Sequence, residues 1–97
     1  MDQTYHVYIL ASRRNGTLYT GVTGDLAARC SQHRNGQGSQ FTERYGVHRL
    51  VHAETFADVS EAIAREKAIK KWHRAWKLEL IERDNPQWLD LYDRLNV

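Results

Sequence analysis

The stretch Tyr5–Leu10, YHVYIL, constrains the fold more than any other part of the chain. It is β-branched and aromatic with almost no polar interruption, the pattern of a strand covered on both faces. Asn15-Gly16 follows, a strong short-range hairpin signal, and TLYTGV (Thr17–Val22) reads as the returning strand. With 97 residues there is room for one domain, 1–97, and one modest core.

Thr23-Gly24-Asp25 supplies N-cap chemistry for a helix over Leu26–Arg34. Asn35–Gly46 holds three glycines and reads as a long loop, and Val47–Phe56 as a third strand. Asp58, with Glu61 three positions on, opens a helix that runs to about Trp72. Ala75–Arg83 is a further helix, stopped before Asn85-Pro86, and a helical turn covers Trp88–Leu95. The order is β-β-α-β-α-α, an α/β chain of the α+β type with a small, at least partly antiparallel sheet under helices.

The single cysteine, Cys30, excludes an internal disulfide framework and a Cys-based zinc site. Met1–His6 has no basic segment leading into an apolar run, and no stretch approaches the roughly 18 apolar residues of a membrane span. The expectation is a cytoplasmic protein that does not enter a membrane. The net charge of +2 decides little, but its distribution is uneven. Ser60–Lys77 carries six Lys/Arg against two Glu, whereas residues 78–97 carry two Arg against five acids. A basic segment beside an acidic one is compatible with a phosphate-binding face as well as with ordinary solvated helices.

Several residues sit awkwardly in a purely architectural reading. The helix after Asp58 has the apolar stripe Val59, Ala62, Ile63, Ile69 and Trp72, and Glu66 occupies its missing position. A carboxylate there is costly unless it is paired, protonated or bound to a cation. Its stem either packs at the core edge with its head in solvent or on an arginine, or it is a ligand for a hard metal such as Mg²⁺. In the hairpin, a turn centred on Asn15-Gly16 pairs Leu10 with Gly21 and puts Tyr8 and Tyr19 on one face. A loop longer by two or four residues keeps that parity and brings the tyrosines closer. Gly21 leaves a gap beside them, where a ligand or backbone could approach. Arg29 and His33 stand one turn apart on the first helix, with Asp25 also in reach of Arg29. Lys67, Lys70, Lys71 and Arg74 form a basic stripe next to Glu66. The other histidines, His6, His48, His52 and His73, have no metal-ligand spacing, and no glycine-rich nucleotide loop or nucleophile elbow is present.

These features in this order resemble the GIY-YIG nuclease superfamily. Its first tripeptide is similar to His6-Val7-Tyr8 and its second to Tyr19-Thr20-Gly21. Its D-L-x-x-R-x-x-x-H run is matched by Asp25-Leu26, Arg29 and His33, and its metal glutamate by Glu66 in an E-x-x-x-K context. Ala64–Ile81 is similar to the small stand-alone bacterial members. The resemblance implies a three-stranded, mostly antiparallel sheet flanked by helices. It also implies a metal-dependent endonuclease, using Mg²⁺ or Mn²⁺, that hydrolyses phosphodiester bonds of DNA, with RNA as the alternative, in DNA repair or processing. By the same resemblance Tyr8 or Tyr19 positions and deprotonates the attacking water, and His33 accepts or relays a proton. Arg29 binds the scissile phosphate, and Glu66 holds the metal. Apart from the resemblance, the stripe Lys67, Lys70, Lys71 and Arg74 beside Glu66 is expected to bind substrate phosphates, and Gly21 to leave room for the substrate. Two departures stand out: His6 replaces the first glycine, and Arg74-Ala75-Trp76-Lys77 lacks the asparagine many members carry after the glutamate. They leave open a nucleic-acid-binding module that cleaves poorly. A third reading, a protein-interaction surface built on Trp72, Trp76 and Trp88, conflicts with the tendency of tryptophans to be core.

Overall fold

The structure, a computed structural model, describes residues 3–95. Three strands, β1 (Tyr5–Ala11), β2 (Leu18–Thr23) and β3 (Arg49–Phe56), form a wholly antiparallel sheet in the order β2-β1-β3. β1 is therefore central, and the sheet has cover on both faces. Val7, Ile9 and Ala11 face Val51 together with Ala62 and Ile69 of α3 (Val59–Lys71), Leu80 and Ile81 of α4 (Arg74–Asp84), and Trp88. Tyr8 and Leu10 face the other way, against Val47, Leu50 and Leu26 and Cys30 of α1 (Leu26–Arg34). This two-sided burial is why the YHVYIL stretch has no polar alternation. The expected β-β-α-β-α-α order is the one the chain adopts.

The hairpin loop is two residues longer than a turn on Asn15-Gly16 alone, so the register that pairs Leu10 with Gly21 is not the one adopted. The last paired residues are Ala11 and Leu18, Ser12 N donates to Thr17 O at 3.0 Å, and residues 13–16 form the loop. Asn15 takes the left-handed conformation (φ 58), while Gly16 is held against Ser12, where a Cβ would collide. Tyr8 consequently pairs with Gly21 and Leu10 with Tyr19.

Within the segment expected to be a loop lies a six-residue helix, α2 (Gln40–Tyr45). Ser39 caps it by accepting from Thr42 N, and Gly46 stops it in the left-handed conformation (φ 63). The apolar stripe of α3 also needs correction. Ala62 and Ile69 form the buried seam, whereas Val59 and Ile63 are 41% and 39% exposed. The seam is rotated so that Arg65 and Glu66 lie on its shoulders, which gives Glu66 a half-buried stem. Of the tryptophans Trp88 is fully buried and Trp72 half-buried, but Trp76 is exposed, against the expectation of core.

After α4 the chain folds back over the sheet. The Asn85 side chain donates to Val51 O (3.1 Å) and Leu89 O (2.9 Å) and accepts from Leu89 N (2.9 Å). Trp88 adopts a positive φ of 57, a strained conformation for a bulky residue. It is held there by a completely buried indole whose Nε1–H donates to Glu82 at 2.8 Å. Asp90 accepts from Leu50 N and ion-pairs with Arg34 of α1, placing a final 3₁₀ turn (Leu91–Arg94) on the tyrosine face. Among the described residues, no helix is long and apolar enough to cross a membrane.

Candidate active site

The pairing of Tyr8 with Gly21 creates the centre of the site. A Cβ at residue 21 would lie 2.5 Å from Tyr8 Oη and 2.6 Å from Cζ, so only glycine leaves the phenol its place over β2. Tyr8 itself is 1% exposed. Its ring centroid is 6.3 Å from that of Tyr19 and 6.1 Å from the His33 ring, and Tyr19 and His33 are 5.4 Å apart. Three of the expected site residues therefore form one cluster across β1, β2 and α1.

Helix α1 reaches this cluster because Asp25 caps it, accepting from Ala28 N, and Leu26 and Cys30 anchor it to the sheet. The Asp25 carboxylate is thereby occupied at the helix terminus, so capping supplies its local role. Arg29, on the same face as His33, brings its charge to Tyr8 and favours the phenolate. That help is outweighed: burial, reinforced by Tyr19, pushes the Tyr8 hydroxyl well above the usual tyrosine value. Tyr8 is thus a protonated donor in the resting protein, contrary to the lowered pKa a free tyrosine base requires.

His33 is its acceptor. Tyr8 Oη and His33 Nε2 are 3.3 Å apart, and the imidazole is 3% exposed. On the other side Nδ1 is 3.0 Å from Thr42 Oγ1, which is also 3.2 Å from the Ser39 carbonyl and 3.0 Å from Ser39 Oγ. The Thr42 hydroxyl has one proton, and the Ser39 carbonyl can only accept it. Thr42 Oγ1 therefore accepts from His33 Nδ1–H, and Nε2 is left as a lone pair aimed at Tyr8. The network assigns the tautomer. Burial, and then the positive charge of Arg29, hold the His33 pKa below the ordinary histidine value, so the ring is neutral at physiological pH. Gly38 completes the socket, since a Cβ there would overlap the His33 ring. Thr42, Ser39 and Gly38 were not singled out from the sequence. Ser39 as a cap and Gly46 as a stop are the local signals that would have revealed α2 and its buried Thr42.

Glu66 and the basic stripe occupy another region. Glu66 lies on α3, whose buried seam packs on the opposite face of the sheet from Tyr8, and Lys70 Nζ is 3.5 Å from its Oε1. Among the described residues no hydrogen bond or ion pair joins Glu66 to Tyr8, Tyr19, Arg29 or His33. Its side chain is 14% exposed, so it is available to a cation while shielded by its stem. Among the described residues no three His, Cys, Asp or Glu side chains gather into a metal cage. A lone carboxylate fits a hard ion that takes its remaining ligands from water and substrate phosphate. Lys67, Lys70 and Lys71 are exposed. Arg74 has a structural task, donating to the carbonyls of Asn15 (2.8 Å) and Gly16 (2.6 Å) in the hairpin loop. It holds the loop, with exposed Arg13 and Arg14, against the start of α4.

The chain is similar to proteins of one family. A family model described as the GIY-YIG catalytic domain matches residues 4–79. A UPF0213 protein of Oceanobacillus iheyensis is 39% identical over 82 residues, covering 84% of this chain and 94% of its own. A UPF0213 protein of Staphylococcus saprophyticus is 42% identical over 81 residues, covering 84% and 96%. The solution NMR structure of a UPF0213 protein from Bacillus halodurans is similar with a TM-score of 0.56 and 31% identity, over 90% of this chain and 92% of that one.

Proposed function

The chain belongs to the GIY-YIG catalytic domain family, a family of nucleases, and from that premise we propose that it is a metal-dependent endonuclease that hydrolyses DNA phosphodiester bonds. The observation that carries this reading is the Tyr8–His33 contact, with its tautomer set by Thr42 and with Arg29 alongside. A neutral imidazole aimed at a tyrosine hydroxyl is a route for a proton, and a guanidinium beside it is a seat for a phosphate.

In the proposed reaction Arg29 binds the scissile phosphate and stabilises the charge that grows on its oxygens. The Tyr8 oxygen takes a proton from the attacking water while its own proton passes to His33 Nε2, so no free phenolate has to form. Tyr19 lies against both rings and is the half-buried, outer member of the cluster. Glu66 stands outside this cluster, on α3, which also packs against the edge strand β2. A substrate reaching from Arg29 to α3 would meet there the Mg²⁺ or Mn²⁺ that Glu66 would hold, an ion that would polarise the phosphate and ease departure of the leaving oxygen. Lys67, Lys70 and Lys71, with Arg13 and Arg14 on the loop that Arg74 braces, supply sequence-independent attraction to the backbone. Such contacts favour selection by nucleic-acid structure rather than by sequence, as in repair or processing.

One observation favours a second reading, binding without efficient cleavage: the Tyr8 hydroxyl is harder to ionise than an ordinary tyrosine. A single assay separates the two. Single-stranded, branched and duplex DNA are incubated with the protein in Mg²⁺ or in EDTA, beside Arg29→Ala and Glu66→Ala. Mg²⁺-dependent cutting lost in both variants supports the endonuclease. Salt-sensitive binding in EDTA, with no cutting by the wild type, supports the module.

A further inference from the structure

The rings of the site do not end at its edge. Phe41 of α2 stands 6.3 Å from Tyr19, ring centre to ring centre, and Tyr45 stands 4.9 Å from Phe41. The series runs from the fully buried Tyr8 and the buried His33, through half-buried Tyr19, to Phe41 and Tyr45, which are 44% and 48% exposed. The Arg44 guanidinium lies 5.6 Å above the Tyr45 ring. Phe41 and Tyr45 are one turn apart on α2, and the helix buries only Thr42. Their contribution to the core is small, so packing does not account for two large apolar rings standing in water.

We propose that Phe41 and Tyr45 form a stacking platform for a nucleobase next to the phosphate held by Arg29, with Arg44 countering the charge of the neighbouring phosphate. The inference rests on the nuclease reading above and adds to it the residues that grip the base. Three observations select this occupant over an apolar peptide. The platform is continuous with Tyr19 of the site, so what lies on it adjoins what lies there. Arg44 lies over the Tyr45 ring and Arg29 beside Tyr8 and His33, which adjoin the platform through Tyr19, and these charges suit a polyanion. Its apolar part is two flat rings at a mutual angle of 48°, offering successive π-faces rather than a groove for side chains. Base–aromatic stacking accepts any base, in keeping with a site that does not read sequence.

The test uses a short oligothymidylate and a backbone of the same length with tetrahydrofuran units in place of the nucleosides, so that charge is equal and only bases differ. Binding is measured in EDTA, where no cutting occurs. Wild type should prefer the oligothymidylate by about five- to a hundredfold for each base stacked. Phe41→Leu and Tyr45→Leu, which keep apolar bulk without a ring, should each lose most of that preference, with the steepness of the salt dependence unchanged. Phe41→Tyr should keep it. Undiminished preference in both leucine variants, in a protein that binds and cuts DNA, overturns the platform alone. A wild type that neither binds these probes nor cuts DNA overturns the platform together with the nuclease reading.

Discussion

Tyr8 Oη and His33 Nε2 meet at 3.3 Å from positions 25 residues apart, one on the central strand and one on the helix that covers it. The strand position is fixed by pairing on both sides, and the helix position by the Asp25 cap and the Leu26–Cys30 contacts. Tyr8→Phe and His33→Ala should each reduce kcat by about 10²- to 10⁴-fold, the range of one proton-transfer catalyst. The double variant should be little worse than either single one, since both residues serve one proton. Single-turnover cleavage of a labelled oligonucleotide measures this, and additive losses would separate the two roles.

The pH profile follows from the depressed His33 pKa. The base is active when neutral, so kcat/KM should fall as pH drops through a value below 6.5 and be level above it until other groups titrate. The same residue makes folding less favourable in acid: its contribution is intact above the unfolded value of about 6.5 and is lost as pH falls toward the folded one. Removing a positive neighbour should raise this pKa, so in Arg29→Ala the His33 ring should titrate higher. NMR titration of the ring carbon protons reads that shift directly.

Thr42→Val keeps shape but leaves His33 Nδ1–H without its acceptor, a loss of about 1–3 kcal/mol. The ring should then populate the other tautomer, visible in its nitrogen chemical shifts, and activity should fall at least tenfold. Thr42→Ser should restore both. Unchanged nitrogen shifts in the valine variant would remove Thr42 from the positioning role.

Gly21→Ala puts a methyl 2.5 Å from Tyr8 Oη in a place without slack. Overpacking of this kind costs about 1–3 kcal/mol, and a domain of this size loses about 4–8 °C in Tm per kcal/mol. Activity should fall further than the stability loss explains, because the displaced atom is the one that faces His33. Thermal melting and cleavage rates below the transition distinguish the two effects.

Glu66→Gln should abolish Mg²⁺-dependent cleavage while leaving Tm nearly unchanged. The partly exposed pair it gives up with Lys70 is worth only a few tenths of a kcal/mol. Binding of DNA in EDTA should be equal or slightly tighter. Cleavage that persists in the glutamine variant would mean the metal is held elsewhere.

The architecture was largely legible because its signals are local. An uninterrupted β-branched run, an Asn-Gly loop and an aspartate before α1 and before α3 each act over a few residues. The parity of Tyr8 and Tyr19 was legible as well, since alternation along a strand survives a change of loop length by two. Thr42 was hidden because a six-residue helix with one buried side chain has almost no periodicity, and the glycines around it read as loop. One of those glycines, Gly38, is there to admit the His33 ring, a three-dimensional fact without a linear trace. Trp76 and Ile63 were misjudged for the converse reason. Their spacing is right for a core, but the seam of α3 and the angle of α4 turned them outward.

The return of the chain after α4 bears on where this protein can be cut. The stretch matched by the family ends at residue 79, but the indole of Trp88 fills the sheet's inner layer and Asn85 completes the backbone of β3. Deleting one such indole costs about 3–5 kcal/mol, comparable with the whole margin of a small domain. A fragment trimmed to residue 79 would therefore retain the site's cited residues, Tyr8 to Glu66, and still fail as a cooperative unit. The region matched by the family model and the smallest piece able to stand alone are different objects here.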